Sequence, residues 1–323
     1  MDLKLALESI NAQIQQLPLN KQPKELYEPV SYFMAIGGKR MRPLLAMIGC
    51  YMFDDNYDKA LKPAVAIELF HNFTLIHDDI MDNAPLRRGV PTVHEKWNRN
   101  IAILAGDITM IQAYEMLAHS PENIRSEIYH IFNRTAAEVC EGQQIDMNFE
   151  NRSDVSIDEY IHMISLKTAV LLGCSMYIGA RIGGADVENA QKIYDAALNM
   201  GISFQIKDDL LDVFGEAAKV GKMVGGDIVA NKKTYLLLKA FEKASLAQKQ
   251  SLNQLLTDTC ISPEDKVGAV TEIYNQLSIR LITEQAIRHY FDVALNQIAA
   301  LDTSEHKKKY LAAFFTDLMN RDK

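Results

Sequence analysis

The sequence predicts an all-α protein, a single large helical bundle formed by one domain over residues 1–323. Three observations carry that expectation. Apolar residues recur at helical spacing along most of the chain. Runs alternating with period two, the signature of a half-buried strand, are almost absent. No linker rich in Gly, Ser or Pro is long enough to divide the chain, and no fixed-period repeat or low-complexity tract interrupts it.

In chain order, Leu3, Leu7, Ile10, Ile14 and Leu17 form the first stripe, at alternating steps of four and three. Leu61, Val65, Leu69 and Phe73 form the next at i, i+4 spacing, and similar stripes run through 101–117, 124–139, 187–213, 236–244 and 270–301. Two segments break the pattern. Residues 83–97 contain Pro85, Gly89 and Pro91 with Arg87 and Arg88, and read as a loop after a helix. Residues 214–231 contain Gly215, Gly221, Gly225 and Gly226 with Lys219 and Lys222, and read the same way.

Composition bounds the function. The formal charge of −8 argues against a nucleic-acid binder, which would show a basic face and a high pI. It leaves room for local Lys/Arg clusters that hold a phosphate. Cys50, Cys140, Cys174 and Cys260 are too scattered for a disulfide framework or a zinc site, and read as free thiols in a reducing cytosol. The first residues lack the long apolar run of a secretory signal. The least charged stretch, 167–181, is shorter than the roughly 18 apolar residues of a membrane span, so a buried core helix and a cytoplasmic protein are expected.

The chemistry lies in two copies of Asp-Asp-x-x-Asp: Asp78, Asp79 and Asp82, then Asp208, Asp209 and Asp212. On a helix, positions i and i+4 share a face, so Asp78 aligns with Asp82 and Asp208 with Asp212. Both motifs end apolar stripes, where the helix dipole disfavours negative charge, so N-terminal capping explains them poorly. A hard cation such as Mg²⁺ would offset the repulsion, and Mg²⁺ usually bridges one or two carboxylates to substrate phosphates. Basic residues stand ready for that phosphate: Lys39, Arg40 and Arg42 early, Arg87 and Arg88 after the first motif, Lys222 and Lys232 after the second. Together they read as a diphosphate clamp that stabilises charge on a departing group.

These residues resemble the trans-isoprenyl diphosphate synthases, the family of farnesyl and geranylgeranyl diphosphate synthases. The resemblance runs in order through 37–43, 71–94, 142–146, Lys167-Thr168, Phe204-Gln205, 208–212, 221–222 and 225–234. It implies a bundle around a deep central cavity. Lys39, Arg42, His71 and Arg88 are then expected to bind isopentenyl diphosphate. Arg87, Lys167, Thr168, Gln205, Lys222 and Lys232 are expected to bind an allylic diphosphate, and Gln143 and Asp146 to line the same cavity. The six motif aspartates with Lys167 and Arg87 form the expected catalytic set. Asp78, Asp82 and Asp208 are the expected Mg²⁺ ligands, three ions binding with substrate. The reaction implied is departure of the allylic diphosphate followed by attack of the isopentenyl double bond, in a homodimer.

Product length follows the same resemblance. Phe73 stands five positions before the first aspartate, as in synthases of short products, and Phe73, Thr74 and Phe70 are the expected cavity floor for a C20 or C15 product. Two alternatives differ in chemistry. A class I terpene cyclase would carry a second motif with Asn, Ser and Glu, and a non-catalytic partner subunit would lack one aspartate cluster.

Overall fold

In the computed structural model, which describes residues 1–215 and 225–320, helices account for nearly all regular structure. The helices are α1 (Leu3–Gln15), α2 (Lys24–Ala35), α3 (Met41–Tyr51), α4 (Leu61–Met81), α5 (Val93–Lys96), α6 (Arg99–Leu117), α7 (Arg125–Phe149), α8 (Ile157–Ile164), α9 (Val170–Ile182), α10 (Val187–Phe214), α11 (Gly226–Val229), α12 (Tyr235–Lys243), α13 (Leu246–Thr257), α14 (Pro263–Gln276), α15 (Ile279–Ala299) and α16 (Glu305–Asn320). The all-α expectation holds.

The chain forms two compact units. The first contains residues 1–133, 174–194 and 302–307; the second contains 134–173, 195–301 and 308–323. Four of the dividing points fall inside helices, in α7, α9, α10 and α16, and the fifth, after Leu301, falls in the connection between α15 and α16.

In the first unit, α4 is buried on almost every side, from Pro63 through Ile76, which its nearly unbroken apolar sequence requires. It packs along α6. Gly106 makes that approach close: a Cβ there would lie 2.1 Å from His77 Nε2. The core of the second unit gathers Tyr160, Ile164, Ile206, Leu210, Tyr235, Leu236 and Tyr274. There α8 begins in a capping box between Ser156 and Glu159.

Three details depart from the sequence reading. Residues 214–231 are not all loop: Phe214 ends α10 and Gly226–Val229 form α11, with 216–224 outside the described residues. Residues 83–97 are not all loop: Leu86–Arg87 and Val90–Pro91 pair as a short antiparallel hairpin, and α5 follows. Arg88 (φ 54°) and Gly89 (φ 81°) supply the two positive φ angles of a two-residue turn of type I′. The apolar helical run is also longer than 167–181. It extends over Ile157–Ile182, long and apolar enough to cross a membrane, yet 72% of its most apolar window is buried inside the protein. A core helix explains it.

Candidate active site

In the first unit the expected residues converge around the end of α4. Asp78 is half-buried and Asp82 exposed, and they share a helix face. Asp79 turns the other way. It is 2% exposed and takes a forked hydrogen bond from Arg87, with Nε at 2.8 and 3.0 Å and Nη2 at 2.8 Å. The hairpin turn at Arg88-Gly89 brings Arg87 back over the helix end.

The Gly37–Arg42 segment lies against this hairpin. Arg88 donates to the Gly37 carbonyl, and a Cβ on Gly38 would meet the Arg88 guanidinium at 3.0 Å. Arg42 Nη1 donates to His71 Nε2 at 2.9 Å, while Arg42 Nε is buried without a partner. A guanidinium cannot accept, so His71 is neutral with its proton on Nδ1. Burial, then Arg42, Arg88, Arg87 and Arg40, holds its pKa well below the usual histidine range. Burial also lowers Arg42 to about 10. Lys39 is exposed. Arg40 departs from its expected place among the phosphate cations. It is buried, 2.6 Å from Glu68 Oε1, and also donates to the Met34 carbonyl and Asn11.

Phe70, Phe73 and Thr74 lie on α4 below the motif, but differ in surroundings. Phe70 is 1% exposed, with ring centroids 5.3 Å from Phe132 and 5.7 Å from Phe73. Phe73 is half-buried and meets His77 edge-on at 4.8 Å. Thr74 Oγ1 donates to the His71 carbonyl.

In the second unit Asp208 is exposed and Asp212 half-buried on one face of α10. Asp209 again turns inward, 6% exposed. Its Oδ2 accepts from Tyr160 Oη at 2.5 Å and the Tyr235 N–H at 3.1 Å; Gln205 Nε2 reaches Oδ1 at 3.5 Å. Burial raises its pKa to about 7, against the lowering by these donors. Asp212 Oδ2 accepts from the Asp227 N–H at 3.0 Å, which ties the motif to α11. Lys232 Nζ lies 3.3 Å from Asp227.

Lys167 and Thr168 sit on a π-helical turn, Ser165–Ala169, between α8 and α9. Such turns recur at functional sites because they re-aim side chains. Gly142 lets α7 touch this turn, since a Cβ there would be 2.3 Å from the Lys167 backbone nitrogen. Lys167 Nζ is then 2.5 Å from Asp146, one helical turn after Gly142. Gln143 Oε1 is buried without a partner. Lys222, Gly221 and Lys219 lie outside the described residues.

Among the described residues, no three His, Cys, Asp or Glu side chains gather to hold a metal by themselves. The donors at each motif are carboxylate oxygens only, two on one outward face. That set fits Mg²⁺, which keeps most of its octahedral shell for water and phosphate oxygens.

Sequence reasoning missed Tyr160, Tyr235 and Glu68. Nothing in the pattern distinguishes the tyrosines from core residues. Glu68 did carry a signal: a carboxylate inside the apolar run 63–70 requires a buried partner.

The helical fold thus carries two outward carboxylate faces, each accompanied by cations. The chain belongs to the polyprenyl synthetase family, whose model matches residues 23–277. A geranylgeranyl diphosphate synthase of Saccharolobus solfataricus is 39% identical over 299 residues, covering 90% of each chain. A solved structure of a geranylgeranyl pyrophosphate synthase has a TM-score of 0.94 at 41% identity, covering 99% of both chains. Another, from Pyrococcus horikoshii, has a TM-score of 0.91 at 34% identity, covering 99% of this chain and 97% of its own.

Proposed function

We propose that this chain is a prenyltransferase that joins isopentenyl diphosphate head to tail with C5, C10 or C15 allylic diphosphates, releasing diphosphate and ending at geranylgeranyl diphosphate. One observation carries the reading. In both motifs the first and third aspartates face outward while the middle one is locked inward, an arrangement that presents two metal-binding faces. The relatives named geranylgeranyl diphosphate synthase support the C20 product.

Lys39, Arg42, His71 and Arg88 bind isopentenyl diphosphate, with His71 offering Nδ1–H as a neutral donor. Lys167, Thr168, Gln205, Lys222 and Lys232 bind the allylic diphosphate. Arg87 adds charge there while its fork stays on Asp79. Magnesium at Asp78, Asp82 and Asp208, three ions with substrate present, supplies Lewis-acid stabilisation of the leaving diphosphate. The apolar helices exclude water from the allylic cation, and the released diphosphate takes the final proton.

The whole chain acts as one synthase domain, since the family match runs through both units. It works as a homodimer in the cytoplasm. Support for the dimer is the exposed apolar face of α6, where Ile103, Leu104 and Ile111 are 44–55% exposed. Cys50 and Cys260 are free thiols, which suits a reducing compartment.

Incubation with Mg²⁺, isopentenyl diphosphate and each allylic primer, read by mass spectrometry, tests the activity. C20 diphosphate that disappears with EDTA is expected; hydrocarbon from a single allylic substrate would refute it. Light scattering tests the dimer, which Leu104→Asp should convert to monomer.

A further inference from the structure

The two motifs lock their middle aspartates by different means. Asp79 is held by Arg87, eight residues away in the adjoining hairpin, through a charged fork. Asp209 is held by neutral donors that come from far along the chain: Tyr160 on α8, 49 residues earlier, and the main chain of Tyr235, 26 residues later. The remaining donor, Gln205, lies one turn back on the same helix. Tyr160 is therefore the one side chain from another element that binds Asp209 among the described residues.

Successive helix residues are rotated by about 100°, so Asp208 and Asp212 lie about 40° apart, and Asp209, about 60° beyond Asp212, falls on the buried side of the helix. Fixing Asp209 fixes the rotation of the last turns of α10, and with it the direction of both outward carboxylates. Tyr160 is well placed to do this. It is 2% exposed, its ring meets Tyr235 edge-on at 6.2 Å, and its helix starts from the Ser156–Glu159 capping box. Arg152 steadies that box from outside, 2.7 Å from Glu159.

We propose that Tyr160 is a positioning residue for diphosphate–magnesium binding: its hydroxyl pins Asp209 into the core and so orients Asp208 and Asp212. The proposal rests on the prenyltransferase reading above. It assigns Tyr160 no contact with substrate and no proton transfer.

Tyr160→Phe tests it, because the ring and its packing stay while the hydroxyl goes. The first readout needs no turnover: calorimetric titration of Mg²⁺ with inorganic diphosphate into the protein. Affinity should fall about tenfold, equivalent to about 1.4 kcal/mol, the low end for a hydrogen bond to a charged group. In steady-state kinetics, KM for the allylic diphosphate and the Mg²⁺ concentration at half-maximal rate should rise similarly, with KM for isopentenyl diphosphate unchanged. Asp209→Asn, whose carbonyl still accepts from Tyr160 and Tyr235, should lose less Mg²⁺–diphosphate affinity than Asp208→Asn. Native affinity in Tyr160→Phe would overturn the proposal. So would a lower melting temperature with every kinetic constant scaled alike, or the reverse order of the two Asn variants. A native chain that makes no product with any primer would instead overturn the prenyltransferase reading itself.

Discussion

Truncating Phe73 and Phe70 in turn separates a cavity floor from plain core. Phe73 lies five residues before Asp78, about 7.5 Å down the axis of α4, and Phe70 about 12 Å down. Phe70 is fully enclosed between Phe73 and Phe132, so Phe70→Ala should cost about 3–5 kcal/mol, the usual range for a buried phenylalanine. Phe73 is half-buried and loses fewer partners, namely the Phe70 and His77 edges, so Phe73→Ala should cost about 2 kcal/mol. For a chain of this length those losses lower the melting temperature by several degrees, more for Phe70. The functional order is the reverse. With excess isopentenyl diphosphate, Phe73→Ala should yield products of C25 and longer, whereas Phe70→Ala should keep the native length. His77 keeps its place in both, since its Nε2–H donates to the Ile103 carbonyl at 3.1 Å. Mass spectrometry of the products decides. Native-length product from Phe73→Ala, or longer product from Phe70→Ala alone, would refute Phe73 as the floor.

Arg87→Ala leaves the buried Asp79 carboxylate without its counter-charge and should cost about 3–5 kcal/mol. Adding Asp79→Ala should recover much of that stability in thermal melts but not the lost activity. His71 gives a pH signature. Its folded pKa lies below the ordinary value of 6.5, so below that pH the unfolded chain binds more protons and stability falls as pH drops. His71→Gln should flatten the slope of melting temperature between about pH 6.5 and 5; an unchanged slope would show that His71 titrates normally.

The sequence made the helices and both carboxylate faces legible because each rests on short-range periodicity. Asp78/Asp82 and Asp208/Asp212 share faces by helix geometry alone. It did not reveal what fills the opposite face. Arg87 on Asp79 depends on a hairpin turn through Arg88 and Gly89, hidden in a segment that reads as loop. Tyr160 on Asp209 depends on packing between helices 49 residues apart. Arg40 illustrates the opposite failure. A cation between Lys39 and Arg42 reads as phosphate-binding, yet its left-handed backbone (φ 51°) turns the side chain into the core toward Glu68. Composition cannot separate those outcomes, because the local motif is the same for both.

The cations around His71 are held by backbone shape more than by opposing charge. Gly37, Arg40 and Arg88 all have positive φ, and Gly38 lacks the Cβ that would press on the Arg88 guanidinium. Arg40 and Arg87 have carboxylate partners, whereas Arg42 and Arg88 form no salt bridge among the described residues. Burial, then the neighbouring Arg87, lowers the pKa of Arg88, so the charge that its guanidinium keeps is held at a free-energy cost that an anion would offset. A bound diphosphate should relieve that repulsion and stabilise the fold even without metal. At a concentration about 100 times Kd the gain is about 2.7 kcal/mol, a rise of several degrees in melting temperature. Isopentenyl diphosphate in metal-free buffer should produce this shift, and added salt should shrink it as screening weakens long-range attraction. Arg88→Ala should shrink it too, while also relieving the free protein. A melting temperature unmoved by millimolar isopentenyl diphosphate would show that these cations are not arranged for an anion.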